Sequence, residues 1–110
     1  MSYLFRAADH PLADAGGGLY VREAVTPFGI ALRYQERMPA DAAADGAALH
    51  WCETGHSVFV VSGRLQYRFD NQTIEAGPGD MVHIPAGPAH RHIASAVGGA
   101  PACYFLTEFG

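Results

Sequence analysis

Apolar and polar residues alternate along much of this chain, and the repeat is two. In LYVREAV, Leu19 to Val25, β-branched and aromatic residues dominate, which predicts a strand stopped by Pro27. GIALRYQERM sets Ile30, Leu32 and Tyr34 against Arg33, Gln35 and Arg37, so a half-buried strand is expected with the apolar set facing the core. HSVFVVSG is apolar on both faces from Val58 to Val61, the pattern of a strand covered on both sides. Ser62-Gly63 marks a turn, after which Leu65, Tyr67 and Phe69 alternate with Gln66 and Arg68 to complete a hairpin.

Shorter segments continue the pattern. ALHWC is expected as a short strand before the turn ETG. TIEAGPGD runs into a Gly-Pro-Gly corner, and MVHIP is a strand stopped by Pro85. AHRHIASAV and PACYFLTEF are two closing strands around the turn GGA. PADAAADGA is rich in Ala, but it is short and bounded by Pro39 and Gly46, so a loop or single turn is expected. Roughly eight to ten short strands with no helix and no internal repeat predict a β-sandwich or barrel.

Composition narrows the picture. A chain of 110 residues is one domain, and 49% hydrophobic residues suit a globular core. The net charge is -4, with no Lys and no basic cluster, which argues against a nucleic-acid surface. No apolar run approaches the roughly 20 residues of a membrane span. The N-terminus, MSYLFRAADHPLADAGGG, lacks the charged start and long apolar centre of a signal peptide. The expectation is a soluble, cytoplasmic protein with no membrane partner, whose Cys52 and Cys103 are both reduced.

GDMVHIPAGPAH, Gly79 to His90, carries the sharpest spacing: Gly, five residues, Pro, one residue, Gly, two residues, His. Gly79 permits a tight entry to the strand, Pro85 ends ladder pairing, and Gly87 permits a turn with positive φ. This spacing resembles the second motif of the cupin superfamily, with Ala94 where that motif has Asn. Counting back from Gly63 aligns LHWCETGH with the first motif: His50, one residue, Cys52, three residues, His56, six residues, Gly63. Cys52 stands where the family has its second His, and His56 where it has Glu; Ala44 replaces the leading Gly.

The resemblance implies an all-β fold: a single-domain cupin, a small β-barrel or jelly roll of two packed antiparallel sheets. Residues 1–46 would supply N-terminal strands and a loop that complete the barrel, and residues 47–110 the core with both motifs. It further implies that His50, Cys52, His56 and His90 converge inside the barrel on one divalent metal. Three imidazoles and a thiolate suit Zn, Fe, Ni or Cu better than Mg or Ca. His50 and Cys52, two apart on a strand, point to one face.

Other roles stay open. Cys52 could equally be a small buried apolar residue. Glu53 is a rival ligand if the ETG turn twists it inward. His92 would share the face of His90 in an extended strand, and His83 and Tyr34 are further candidates for the pocket wall. Trp51 alternates away from His50 and Cys52 and is expected outside the barrel. No Gly-rich phosphate loop and no nucleophile elbow is present. The expected function is a metal-dependent cupin enzyme acting on a small molecule, as a dioxygenase, isomerase or lyase; the alternative is a non-enzymatic ligand- or metal-sensing module. A homodimer is expected, with SYLFR pairing across it.

Overall fold

The computed structural model describes residues 3–39 and 51–110. Nine strands follow in order: β1 (Ala13–Gly16), β2 (Leu19–Val25), β3 (Ala31–Arg37), β4 (Gly55–Ser62), β5 (Arg64–Arg68), β6 (Thr73–Ala76), β7 (Met81–Ile84), β8 (Ile93–Val97) and β9 (Ala102–Phe109). They form two antiparallel sheets, a six-stranded one ordered β1-β2-β3-β9-β4-β7 and a three-stranded one ordered β6-β5-β8. The only helical elements among the described residues are two 3₁₀ turns, Ala7–Asp9 and Pro88–His90. None is long and apolar enough to cross a membrane.

The expected all-β, two-sheet architecture is therefore present. Val58, Val60, Tyr104 and Leu106 on the large sheet meet Leu65, Tyr67, Ala76 and Ala96 on the small one, with Ile84 closing one side. Each large apolar side chain buried there contributes about 1.5–3 kcal/mol. Two isolated bridges tie outlying segments together: Pro39 with Ala96, and Cys52 with His92.

Turn chemistry explains the β4–β5 hairpin. Gly63 has φ +78, and a Cβ there would run into the Pro101 carbonyl oxygen. Only glycine meets both conditions. β1 and its turn at Gly17-Gly18 were not signalled by alternation; its four residues, ADAG, are all exposed. The strand expected for ALHWC reduces, among the described residues, to the single bridge at Cys52. Tyr3–Arg6, from the segment expected to pair across a dimer, lies outside any strand.

The faces of two strands differ from expectation. On β3, Gln35 is buried and pairs across from Tyr104, which is fully buried. Arg33, Gln35 and Arg37 thus face the interior, and Leu32 and Tyr34 face outward. The alternation gave the correct period, but the polar set is inside. On β4, Val58 and Val60 are buried while Phe59 and Val61 are exposed, so only one of its apolar faces is covered.

Candidate metal centre

Three chain segments meet at one edge of the core. His56 lies in β4, with Val58 and Val60 continuing its inward face. Cys52 precedes that strand. His92 follows the Pro88–His90 turn and extends the inward row of β8, His92, Ala94 and Ala96. The Cys52 amide donates to the His92 carbonyl at 2.8 Å, and the His92 amide returns a bond to the Cys52 carbonyl at 2.9 Å. This reciprocal pair sets the two side chains side by side.

The donor atoms of Cys52, His56 and His92 all lie within 4.8 Å of one another. Cys52 Sγ is 3.7 Å from His56 Nε2. Metal–ligand bonds of about 2.0–2.3 Å place tetrahedral donors about 3.5 Å apart, so this pair is already near the required spacing. The imidazoles of His56 and His92 meet edge to face at 5.1 Å, and His92 also packs edge-on against Tyr67 at 5.6 Å.

One hydrogen bond fixes the chemistry of His92. Its Nδ1 is 3.0 Å from the His90 carbonyl, which can only accept. Nδ1 therefore carries a proton, and in the neutral ring Nε2 presents a lone pair. Nε2 of His92 and Nδ1 of His56 are both buried without a partner. Leaving such a group unsatisfied costs about 1–3 kcal/mol. A cation at His92 Nε2 would remove that cost, and a histidine whose other nitrogen donates to a carbonyl is the usual arrangement of a metal ligand. Burial, reinforced by neighbouring His92, lowers the His56 pKa; the Glu108 carboxylate opposes both. A neutral His56 is the form that can ligate. The residues present therefore fit a soft or borderline divalent ion.

The structure distributes the expected site residues as follows. Cys52 and His56 come together, and the third member is His92. His90 lies outside the cluster: it ends the 3₁₀ turn with its side chain exposed, and contributes its carbonyl instead. Gly87, with φ +120, starts that turn. His50 falls outside the described residues. Glu53 is exposed, and its carbonyl accepts from the Gly87 amide at 2.8 Å. His83 is on the outer face of β7, 2.9 Å from Ser57 Oγ and stacked on Phe109. Tyr34 is on the outer face of β3, where its hydroxyl donates to Glu36 at 2.8 Å; burial and that carboxylate raise its pKa. Trp51 lies outside, with the Arg91 guanidinium 4.3 Å from its ring centroid.

Two residues that the motifs did not indicate stand beside the cluster. Glu108 pairs directly across from His56, and its carboxylate accepts from Arg33 at 2.7 Å. A cleft of about 320 Å³ next to them is lined by Glu23, Thr54, Glu108 and Phe109, among others. A second, apolar cleft of about 360 Å³ lies on the outer side, between Tyr3, Phe5, Phe28 and Leu32. Neither contains the Cys52–His56–His92 cluster.

Comparison with known proteins follows the same lines. A family model described as a cupin domain matches residues 36–107. Among solved structures, a protein of unknown function from Rhizobium leguminosarum bv. viciae 3841 is 19% identical with a TM-score of 0.68, covering 99% of this chain and 97% of that one. An RmlC-like cupin from Shewanella frigidimarina NCIMB 400 is 15% identical with a TM-score of 0.71, covering 98% and 90%. KdgF from Halomonas sp. is 17% identical with a TM-score of 0.71, covering 98% and 94%. These identities speak to fold alone. No curated protein matches the sequence.

Proposed function

The chain belongs to the cupin domain family, and from that premise we propose that it is a metal-binding cupin whose Cys52, His56 and His92 hold one divalent transition metal. The observation that carries this reading is the buried, unpartnered Nε2 of His92, with its tautomer set by the His90 carbonyl and a thiol and a second imidazole beside it. Three protein ligands leave coordination positions for a small molecule, which is the arrangement of catalytic rather than structural sites. When bound, such an ion supplies Lewis acidity or an attachment point for oxygen. We therefore read the protein as a metal-dependent enzyme acting on a small molecule in its interior. The chain's own part is to exclude water with Tyr67 and Phe69, whose rings pack on His92, and to hold His92 in one tautomer.

A second reading, a ligand- or metal-sensing module, is favoured by one feature. No carboxylate is among the three donors, so a base bound to the metal is missing. Elemental analysis after reconstitution, followed by oxygen-uptake and isomerisation screens on small enols, sugars and hydroxy acids, separates the two. One equivalent of metal with turnover supports the enzyme; one equivalent with tight binding and no turnover supports the sensor. Absence of metal after reconstitution removes the enzyme and the metal sensor, and leaves only a metal-free ligand-binding module.

We also propose a homodimer. Phe59, Val61, Met81 and Phe105 adjoin one another across β7, β4 and β9 on the outer face of the large sheet, each between 40% and 81% exposed. A contiguous apolar patch of this kind is characteristic of an association surface. A second copy presenting the same patch would cover it isologously.

A further inference from the structure

Arg33 and Arg37 share the inward face of β3 but meet different partners. Arg33 donates to Glu108 at 2.7 Å and lies 3.5 Å from Glu23, so its charge is matched by carboxylates. Arg37 forms no ion pair among the described residues. Its Nε donates to the phenol oxygen of Tyr104 at 3.1 Å. A phenol orients a guanidinium without neutralising it. Tyr104 accepts this bond, so its own O–H remains to donate elsewhere.

Through Tyr104, this cation borders the buried core that the metal cluster also borders. Tyr104 is fully buried, and Gln35, between the two arginines, is only 5% exposed. Tyr67 reaches in from the small sheet, packed edge-on against His92. Tyr67 and Tyr104 belong to one buried core cluster, so the phenol packed on His92 and the phenol that accepts from Arg37 share the same interior. Turning a strand's polar set inward carries a desolvation cost that no ion pair among the described residues offsets at Arg37, whose neutral partner is Tyr104. The residual positive charge, the two phenols and the planar fork of the guanidinium are complementary to a carboxylate, which arginine engages through two parallel N–H bonds.

We infer that Arg37, with the hydroxyls of Tyr104 and Tyr67, forms an anion subsite beside the metal centre, and that the protein's ligand is a small organic acid whose carboxylate meets Arg37. The orientation of the rest of that acid toward the metal rests on the metal reading above; the carboxylate subsite does not.

Calorimetric titration tests this with glycolate and malonate against glycolamide and malonamide, using the reconstituted protein and its chelator-treated form. The acids are expected to bind at least about tenfold more tightly than their amides. Arg37→Gln should erase that preference and Arg37→Lys should retain part of it, with metal content unchanged in both and folding verified by circular dichroism. Equal affinity for acid and amide overturns the inference. So does a preference that survives Arg37→Gln, or no saturable binding of either acid at millimolar concentration. An Arg37-dependent preference in a protein that takes up no metal sustains the subsite and removes the metal reading. Metal uptake without the preference does the reverse.

Discussion

The two faces of the large sheet have exchanged the roles that composition would assign them. Inward, β3 presents Arg33, Gln35 and Arg37, and β4 presents His56. Outward, β4 and β9 present Phe59, Val61 and Phe105. In a sheet built only for stability β3 would face the opposite way, because apolar burial drives folding and buried polar groups oppose it. The inward polar face is tolerated because Val58, Val60, Tyr104 and Leu106 supply an apolar core on the same surface. Stability and chemistry thus occupy neighbouring rows of one face. The outward face, with Phe59, Val61 and Phe105 exposed, is the one proposed above for association.

The sharpest test of that division substitutes residues of opposite faces. Leu106→Ala, on the inward face, should cost about 2–5 kcal/mol in urea denaturation. Met81→Ala, on the outward face, should stay within about 0.5 kcal/mol when measured at low protein concentration. Similar costs for the two would mean that the outward face is already part of a core.

A smaller effect concerns protons. The folded His56 pKa is below its ordinary value of about 6.5, because burial and neighbouring His92 disfavour the cation. The unfolded chain then binds more protons than the folded one as pH falls. The His56 contribution to the stability of the metal-free protein is fully present above the unfolded value, and is lost as pH drops through the lowered folded value. His56→Gln should flatten that part of a stability-against-pH curve. A curve that keeps its slope in the variant assigns the effect elsewhere.

The smallest effect on stability and the clearest on assembly is expected from Val61→Asp. It places a charge in the outward patch, and should shift sedimentation from dimer to monomer while leaving the monomer's melting curve nearly unchanged. A wild-type protein that sediments as a monomer at high micromolar concentration contradicts the outward half of the comparison.

Much of this was legible in the sequence. Eight of the nine strands follow from alternation and turn residues, and Gly63 located the first motif because a φ of +78 beside the Pro101 carbonyl admits no other residue. The side of β3 that faces inward was not legible. Period-two alternation defines two faces without saying which is buried, and β3 borrows its burial from Tyr104 and Val21 on neighbouring strands. His92 illustrates a second limit. Residue spacing pointed to His90, but a 3₁₀ turn over Pro88–His90 directs that side chain outward. The available signal was the continuation His92, Ala94, Ala96 on the inward row of β8.

The central claim is that Cys52, His56 and His92 hold the metal. Titration with Co²⁺, monitored through the thiolate-to-cobalt charge-transfer band, tests it most directly. One equivalent should bind with that band present. Cys52→Ser should abolish the band and His92→Ala should abolish binding, while His90→Ala should leave both intact. Loss of binding in His90→Ala with retention in His92→Ala would contradict the account.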